Sequence, residues 1–365
     1  MCPLNSIDNG IYKKLYLTLD SIAKIAKFSD GAEAARNGIL ALWRFREENT
    51  RKIAEVSGLP VPGISALRKE LFRQGLFKNL KEFSSQGIEW VENNLKLINI
   101  PEIPLFYDPM RESLIAKFFS ELCLKEIKNI SKKRPHPNPD YDQSRINFET
   151  IIKRIKALLS HGDLEGRRLC FLGDDDGMSI ALAIFKRFNP SFNYTISVID
   201  IDELVLNYVR KYDLEKEISM LKMDLRGKIP KSWLNIYDVI MTDPPYTIVG
   251  ARLFLRKAYS LLHQNINYNQ TEINFKPIYF SFSNKPTIFT SKLTKMILEE
   301  SFSIDSYYKR FNFYSGERLI HRYSNLWFLK SLPREIEKSS INQEFNRIYT
   351  WQMIEGGLPR NKRKK

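Results

Sequence analysis

The sequence predicts an α/β protein in which a mostly parallel, doubly wound sheet follows a small helical domain. Short apolar segments alternate with helical segments in the second half of the chain. The first hundred residues show apolar residues at helical spacing instead, and a proline-rich stretch, PHPN, separates the two patterns. With 365 residues the chain is long enough for two such domains.

The first predicted domain covers residues 1–100. Helical spacing recurs in NGILALWRF, TRKIAEVSGL and VPGISALRKELFRQGLF, and a hairpin with a further helix fits the segment after them. This order predicts a small winged-helix-like domain, whose third helix would present Arg68, Lys69 and Arg73 to DNA. The alternative is that the domain only packs on the rest of the chain or on a second subunit.

Three further regions follow. Residues 101–145 are predicted to be a connector with one helical stretch, and residues 333–365 a polar, basic tail. Between them, residues 146–332 carry five strands in alternation with helices, namely RRLCFLG, NYTISVID, SMLKMD, YDVIMTDPPY and KPIYFSFS. Two later segments, SIDSYYKRFNFY and RYSNLWFLKSL, are predicted to add a hairpin at one edge, which completes a Rossmann-like, methyltransferase-type sheet.

Composition narrows the class of protein. The formal charge of +15 suits nucleic acid or an anionic surface, but its sign alone does not choose between a binding surface and ordinary solvation. Three cysteines without a pairing pattern favour a reducing compartment, and no Cys/His cluster predicts a metal site. No apolar run of about 18 residues predicts a membrane span. We therefore expect a cytoplasmic protein without a membrane partner.

The turn after the first strand, FLGDDDGMS, is the most informative segment. Ligands of doubly wound sheets bind beyond the carboxyl ends of the strands, where a glycine-rich turn opens a helix. Gly173 and Gly177 keep the spacing for that turn, whereas the positions between them are Asp174, Asp175 and Asp176. Three carboxylates would repel the carboxylate of S-adenosylmethionine and would attract an ammonium group.

A helix cap or a metal site would also place carboxylates in this turn. One Asp would cap the following helix adequately, but three adjacent Asp residues repel each other. A divalent metal ion would account for clustered carboxylates as well, although cationic substrates make it unnecessary. The turn therefore predicts a site for decarboxylated S-adenosylmethionine, whose reacting arm ends in an ammonium group, and for a polyamine.

Carboxylates also end the next strands. Asp200 ends the second strand and lies where an acidic residue accepts hydrogen bonds from ribose hydroxyls. Asp202 is an alternative for that region or caps the next helix. Asp224 ends the third strand and would accept a hydrogen bond from the adenine amino group.

The fourth strand ends in a second motif, TDPPY. Asp243 can accept hydrogen bonds from an amine, the rigid Pro244 fixes the backbone beside it, and Tyr246 can stack on an amine or its alkyl chain. The same four residues, DPPY, also occur in methyltransferases that act on the amino groups of adenine or cytosine. The motif therefore indicates chemistry on nitrogen without choosing the substrate.

Together, FLGDDDGMS, VIDID, DVIMTDPPYT and YDQ resemble the branched-chain polyamine synthases, also called N4-bis(aminopropyl)spermidine synthases. Gly-Asp-Asp-Asp is the distinguishing motif of that family, and its members also carry an N-terminal winged-helix-like domain, so the resemblance covers most of the chain. It implies transfer of aminopropyl groups from decarboxylated S-adenosylmethionine onto the secondary amine of spermidine, with release of 5′-methylthioadenosine. It also implies a homodimer without a prosthetic group.

The resemblance assigns roles within the motifs. Asp243 matches the Asp that serves the attacking amine in the linear spermidine synthases, and Asp175 and Asp176 are candidate proton acceptors beside it. Gly173, Asp174 and Gly177 would hold the donor with the Asp residues of the next two strands. Three residues before the transferase domain would line the entrance or bind the donor, or would form only a hinge: Tyr141, Asp142 and Gln143.

Two competing hypotheses remain at this point. A nucleic-acid amino-methyltransferase would use DPPY on an extruded base, with the positive charge binding phosphates. A non-enzymatic regulator would sense polyamines in the acidic cleft and bind DNA through the first domain. The acidic turn favours the aminopropyltransferase over both.

Overall fold

The computed structural model describes residues 17–98, 113–263, 275–315, 322–333 and 349. Its N-terminal part contains α1 (Leu19–Ala26), α2 (Gly31–Arg44), α3 (Thr50–Ser57), α4 (Val61–Arg73) and α5 (Ser85–Leu95). Side-chain caps explain where two of these helices begin, since Asn49 and Ser84 accept hydrogen bonds from the first-turn N–H groups of α3 and α5. An antiparallel bridge between Phe77 and Phe83 lies where the hairpin is predicted. The winged-helix assignment stays a prediction.

The prediction that α4 presents Arg68 to DNA is wrong. This side chain is only 4% exposed, and its guanidinium donates to the carbonyl oxygens of Leu80 and Glu48 at 2.9 and 2.6 Å. Arg73 is exposed but forms a two-bond pair with Glu70. A long side chain next to a buried helix face can fold back to satisfy loop carbonyls, so helical spacing alone did not reveal its direction. The face therefore does not present three outward cations.

The C-terminal part is built on one seven-stranded sheet of order β3-β2-β1-β4-β5-β7-β6. Its strands are β1 (Arg168–Leu172), β2 (Thr195–Asp200), β3 (Ile218–Lys222), β4 (Val239–Thr242), β5 (Pro277–Ser283), β6 (Phe302–Phe313) and β7 (Tyr323–Ser331). Strands β1 to β5 pair in parallel, and β7 runs antiparallel to both of its neighbours. The predicted doubly wound sheet with an added edge hairpin is confirmed.

Helices cover both faces of the sheet. They are α6 (Ser113–Ala116), α7 (Glu121–Ser131), α8 (Phe148–His161), α9 (Met178–Phe188), α10 (Glu203–Tyr212), α11 (Ile248–Leu261) and α12 (Thr287–Glu299). Successive residues of β1 alternate between two hydrophobic clusters, with Leu169 and Phe171 in one and Cys170 and Leu172 in the other. The first cluster also contains residues of α1 to α4, so the N-terminal helices pack continuously on this part of the molecule.

Buried ion pairs reinforce that contact at the amino ends of β1, β4 and β5. Glu33 of α2 accepts two hydrogen bonds from Arg167, at 3.0 and 2.6 Å, and one from Lys276 at 2.6 Å. Lys276 also contacts Asp238, which is held by Arg168 at 2.9 and 3.0 Å. We call these five residues the interface network. Each of its carboxylates has at least two cationic partners, so burial is compensated.

The region after β7 is described only in part. Of the predicted tail, residues 333–365, all but Pro333 and Tyr349 lie outside the described residues. Tyr349 is buried, and its ring centroid lies 6.0 Å from that of Tyr141. Within the described ranges, every helix is too short or too polar to cross a bilayer.

Candidate active site

The strand order reverses between β1 and β4, because β1 has β2 on one side and β4 on the other. A crevice opens beyond the carboxyl ends of strands at such a reversal. The acidic turn follows β1 and Asp243 follows β4. The fold therefore brings the two strongest sequence motifs to one place.

The glycines of the turn have distinct structural reasons. Gly173 has a φ of 77°, and a Cβ built there would meet no atom of the described chain within 4 Å. Gly177 has a φ of 67°, and a Cβ there would lie 3.1 Å from Tyr208 and 3.2 Å from Arg134. Both positions need left-handed backbone, which favours glycine. The open space beside Gly173 is where a ligand can approach the backbone closely.

Asp174 caps the helix that follows the turn. One of its carboxylate oxygens accepts a hydrogen bond from the Met178 N–H at 2.8 Å, and the carboxylate also accepts from the N–H and hydroxyl of Ser179. Burial raises the pKa of Asp174 to about 8. The capping alternative therefore describes this residue, and the positive end of α9 is already occupied by a carboxylate of the chain itself.

Asp175 is the least buried of the three Asp residues in the acidic turn. It is half-buried, and its Oδ2 accepts a hydrogen bond from the Ser144 N–H at 3.1 Å. Its other carboxylate oxygen has no donor within the described part of the chain. Burial in the cleft, and then the negative charges of Asp176 and its neighbours, raise the pKa of Asp175 well above its usual value. Asp175 can thus accept a hydrogen bond or a proton from a ligand.

Asp176 is turned inward. It is 4% exposed, accepts a hydrogen bond from the Ile146 N–H at 3.0 Å and pairs with the Arg154 guanidinium at 2.8 Å. Arg134 donates to the backbone carbonyl of Asp176 at 2.8 Å. Each carboxylate oxygen of Asp176 therefore already accepts a hydrogen bond from the protein, one of them from a buried guanidinium.

Asp243 is the centre of a buried polar group. Its Oδ1 accepts from the Tyr246 hydroxyl at 2.8 Å, and its Oδ2 accepts from the Tyr314 hydroxyl at 2.5 Å and from Arg154 at 3.2 Å. Burial raises the pKa of Asp243, Arg154 opposes that rise, and Asp176 adds to it. Pro244 behind it is buried and fixes the strand end.

Arg154 and Tyr314 were not predicted from the sequence. Arg154 lies on α8, is 2% exposed and bridges Asp176 and Asp243. One sequence signal points to it: an arginine stands on the helix face that also carries Ile151 and Ile155. Tyr314 directly follows β6, and no local pattern marks it, because the two ends of its contact with Asp243 are 71 residues apart.

The predicted ribose site after β2 is closely tied to the acidic turn. Asp200 is buried and accepts hydrogen bonds from the Asp174 N–H at 2.9 Å and the Asp202 N–H at 2.8 Å. Burial raises the pKa of Asp200 to about 6. Asp202 caps α10 through the Leu204 N–H, as the capping alternative predicts, and also accepts from Gln143 at 3.0 Å. Gln143 thus fastens the segment before α8 to this edge of the sheet.

The remaining predicted residues surround the far end of the cleft. Burial would raise the pKa of Asp224, but hydrogen bonds from Arg226 outweigh it and leave the pKa below its usual value. Tyr141 packs with the second hydrophobic cluster. Burial lowers the pKa of Lys285, and the nearby Asp142, which has a φ of 55°, offsets part of that lowering. A donor adenine would have to share Asp224 with Arg226. The described residues contain no cluster of His, Cys, Asp or Glu suited to a metal ion.

Comparison with known proteins covers most of the chain. Residues 122–358 match the family model described as the branched-chain polyamine synthase A C-terminal domain. An uncharacterized protein of Methanocaldococcus jannaschii is 30% identical over 92% of this chain and 82% of its own length. The N(4)-bis(aminopropyl)spermidine synthase of the same organism is 31% identical over 219 residues, which are 58% of this chain and 59% of that relative.

A solved structure extends the likeness to the fold. A branched-chain polyamine synthase mutein from Thermus thermophilus, in complex with N4-aminopropylspermidine and 5′-methylthioadenosine, superposes with a TM-score of 0.52 and 18% identity. The match covers 88% of this chain and 95% of that one. The family model confirms the resemblance seen in the motifs: this chain belongs to the branched-chain polyamine synthase family.

Proposed function

We propose that this chain is an aminopropyltransferase that uses decarboxylated S-adenosylmethionine to alkylate the secondary amine of spermidine. The products would be N4-bis(aminopropyl)spermidine, after two transfers, and 5′-methylthioadenosine. Family membership supports the reaction class, and the named synthase of M. jannaschii and the ligands of the T. thermophilus structure support the substrates. The site itself supplies the chemical argument.

The observation that carries the proposal is the occupied end of α9. The amino end of a helix after a glycine turn normally attracts an anion, such as the carboxylate of S-adenosylmethionine. Here Asp174 already fills that position through the N–H groups of Met178 and Ser179. The neighbouring carboxylate with a free oxygen, on Asp175, would repel a second anion and attract an ammonium group. Both effects favour the decarboxylated donor.

The site also accounts for the proton that the reaction releases. The lone pair of the amine forms a bond to the methylene carbon beside the sulfonium, the carbon–sulfur bond breaks, and its electrons stay on the sulfur of 5′-methylthioadenosine. In the first transfer the new nitrogen centre then loses a proton and becomes a tertiary amine. The second transfer converts that amine into a quaternary ammonium, which has no proton to lose. Asp175 has one carboxylate oxygen without a donor among the described residues, and burial raises its pKa, so it is the best placed of the three candidates to take the proton of the first transfer. Asp176 and Asp243 are engaged by Arg154 and serve less well.

Assembly and location belong to the same proposal. We expect a homodimer in a cytoplasmic, reducing environment. The homodimer rests on the family resemblance, and the free thiols of Cys123 and Cys170 fit the environment. Sedimentation of the purified protein tests the assembly, and a monomer at assay concentrations would contradict it.

The decisive experiment is a product assay by mass spectrometry. The purified protein is incubated with spermidine and either decarboxylated S-adenosylmethionine or S-adenosylmethionine, beside two variants, Asp175→Asn and Asp305→Asn. Asp305 pairs with Lys330 at 2.7 Å on the edge strands and is the matched control. We expect gains of one or two aminopropyl units with the decarboxylated donor, retained in the control and lost in Asp175→Asn.

Two outcomes would contradict the proposal. A folded protein that binds 5′-methylthioadenosine yet alkylates none of several polyamines is not this enzyme. Methylated nucleic acid formed from S-adenosylmethionine would support the amino-methyltransferase instead.

A further inference from the structure

The carboxylate of Asp243, which is predicted to bind an amine, already accepts three hydrogen bonds from the protein. Three donors reach its two oxygens: Tyr246, Tyr314 and Arg154. In addition, the hydroxyl oxygens of Tyr246 and Tyr314 lie 2.8 Å from each other. The three contacts between Asp243 and the two phenols form a closed triangle, although the phenols supply only two protons.

Arg154 decides which way the surrounding bonds point. A guanidinium can only donate, so the contact of its Nε with Asn312 at 2.9 Å makes the Asn312 oxygen the acceptor. The Asn312 amide group then donates to Ser324 at 2.9 Å and to Ser281 at 3.1 Å. The Tyr314 hydroxyl donates its only proton to Asp243, so in its 2.8 Å contact with Ser324 the Ser324 hydroxyl is the donor.

This direction determines the state of both phenols. Tyr314 receives a proton from Ser324 and donates its own to Asp243 Oδ2. Its oxygen can then accept a second bond, and the Tyr246 hydroxyl is in position to give it. Burial and the negative charge of Asp243 raise the pKa of both tyrosines well above the usual value, so each keeps its proton. Tyr246 thus has two acceptors for one proton.

We propose that Tyr314 is a positioning residue that lets Asp243 exchange the Tyr246 hydroxyl for an ammonium group of the polyamine. In the ligand-free site Tyr246 donates to Asp243 Oδ1. When an ammonium group donates to that oxygen, the Tyr246 proton rotates toward the Tyr314 oxygen, and no buried hydroxyl is left unpaired. The exchange needs no movement of heavy atoms, because both acceptors already lie 2.8 Å away.

Exposure supports this assignment of roles. Tyr246 is half-buried and borders the cleft, whereas Tyr314 is 2% exposed and lies behind it. The inference deepens the proposed function, since it concerns the acceptor amine of that same site. It requires a cationic ligand at Asp243, and it does not depend on which carboxylate later receives the proton.

Phenylalanine substitutions at the two tyrosines have opposite expected effects. Tyr314→Phe removes the second acceptor, so Tyr246 must lose a bond when the amine arrives, and the Kd and KM for spermidine should rise about tenfold with kcat changed less than about threefold. Tyr246→Phe removes the competitor for Oδ1, so spermidine should bind about threefold more tightly. The double variant should resemble Tyr246→Phe, because no phenol proton then needs a second acceptor.

The test measures spermidine binding by calorimetry in the presence of 5′-methylthioadenosine, together with steady-state turnover. Tyr194→Phe is the matched control, since Tyr194 is also buried and its hydroxyl donates to the Leu182 carbonyl, away from the site. Weaker binding in Tyr246→Phe overturns the inference even if Tyr314→Phe does not fold. An unrescued double variant, or an unchanged Kd in folded Tyr314→Phe, also overturns it.

The two proposals fail in different ways. If wild type binds spermidine and the two phenylalanine variants shift its Kd in the expected opposite directions, but no turnover occurs, the proposed function is wrong and the exchange at Asp243 stands. If turnover is normal but the variants do not shift the Kd in these directions, only the exchange at Asp243 is wrong. Absence of spermidine binding removes both.

Discussion

Buried charges lie at both ends of the parallel strands, and the two ends differ in charge balance. At the amino ends of β1, β4 and β5, the interface network gives Glu33 and Asp238 three cations. Six Asp residues follow the carboxyl ends of β1, β2 and β4, and ion pairs from Arg154 and Arg134 reach Asp176 and Asp243. The six are Asp174, Asp175, Asp176, Asp200, Asp202 and Asp243. Both groups are largely buried, but the ratio of cations to carboxylates differs between them.

The difference appears in the pKa values. Burial would raise the pKa of Glu33 and of Asp238, yet Arg167, Lys276 and Arg168 outweigh it and hold both values below the usual range. Around the acidic turn burial prevails, and the pKa of Asp174 rises to about 8. Burial therefore does not decide whether a carboxylate is ionised in this protein. The number of cations in contact decides the direction of the shift, since Asp163, beside the amino end of β1, contacts one cation, Arg167 at 3.7 Å, and burial raises its pKa to about 6.

The comparison makes its strongest prediction at Asp175. Asp175→Asn should lower turnover about 10³-fold, because it removes both the proton acceptor and a charge that attracts the substrate. It should not lower the free energy of unfolding, because it also removes a repelled carboxylate. Initial rates and urea unfolding of the same preparation measure both. A strongly destabilised variant would mean that the acidic turn is structural like the interface network.

The opposite result is expected at Glu33. Glu33→Gln leaves Arg167 and Lys276 buried with less negative charge beside them and should cost about 3 kcal/mol of unfolding free energy. Turnover of the folded fraction at 25 °C should change little, since Glu33 lies at the other end of the strands. A large fall in kcat without loss of stability would contradict the division into two ends.

Stability should also respond to pH in opposite ways. A carboxyl group with a raised pKa contributes stability at low pH that is lost as pH rises from its unfolded value toward its folded value; for Asp174 the folded value is about 8. Between pH 6 and 8, we expect wild type to lose about 1–2 kcal/mol more than Asp174→Asn, which can still cap α9. Urea unfolding at both pH values measures this difference. Equal losses would contradict the raised pKa of Asp174.

The stabilisation from the interface network should be lost only at acid pH. The lowered pKa of Asp238 makes its contribution fully present above the unfolded value of about 4, and the contribution is lost as pH falls below that value. The difference in unfolding free energy between wild type and Asp238→Asn should therefore be smaller at pH 3 than at pH 7, and should shrink further as the pH is lowered. Thermal unfolding at the two pH values tests this expectation.

The smallest effect on stability and turnover is expected at Asp305, which belongs neither to the interface network nor to the acidic turn. Asp305→Asn breaks a partly exposed pair with Lys330 and should change unfolding free energy by less than about 1 kcal/mol, with an unchanged rate. A rate change there would show that the assay responds to edge-strand structure, and would weaken the conclusions drawn from Asp175.

The sequence was sufficient to predict the features that depend on residues close together along the chain. Strand ends such as Asp200 and Asp243 were predicted because apolar strand patterns and the motifs that follow them are local. The direction of a long side chain is not local, so Arg68 was assigned outward although it satisfies carbonyls 12 and 20 residues away. Arg154 and Tyr314 reach Asp243 across 89 and 71 residues, and only the sheet order brings them there.

The self-capped helix α9 has a consequence for engineering donor choice. Removing the Asp174 carboxylate would vacate the N–H groups of Met178 and Ser179, yet a donor carboxylate would still meet Asp175. Neutralising Asp175 alone would leave the helix end filled. Under the proposed function, two separate barriers would then favour the decarboxylated donor. No point mutation at either position alone should therefore turn this scaffold into a methyltransferase, and directed evolution toward S-adenosylmethionine would need both changes together.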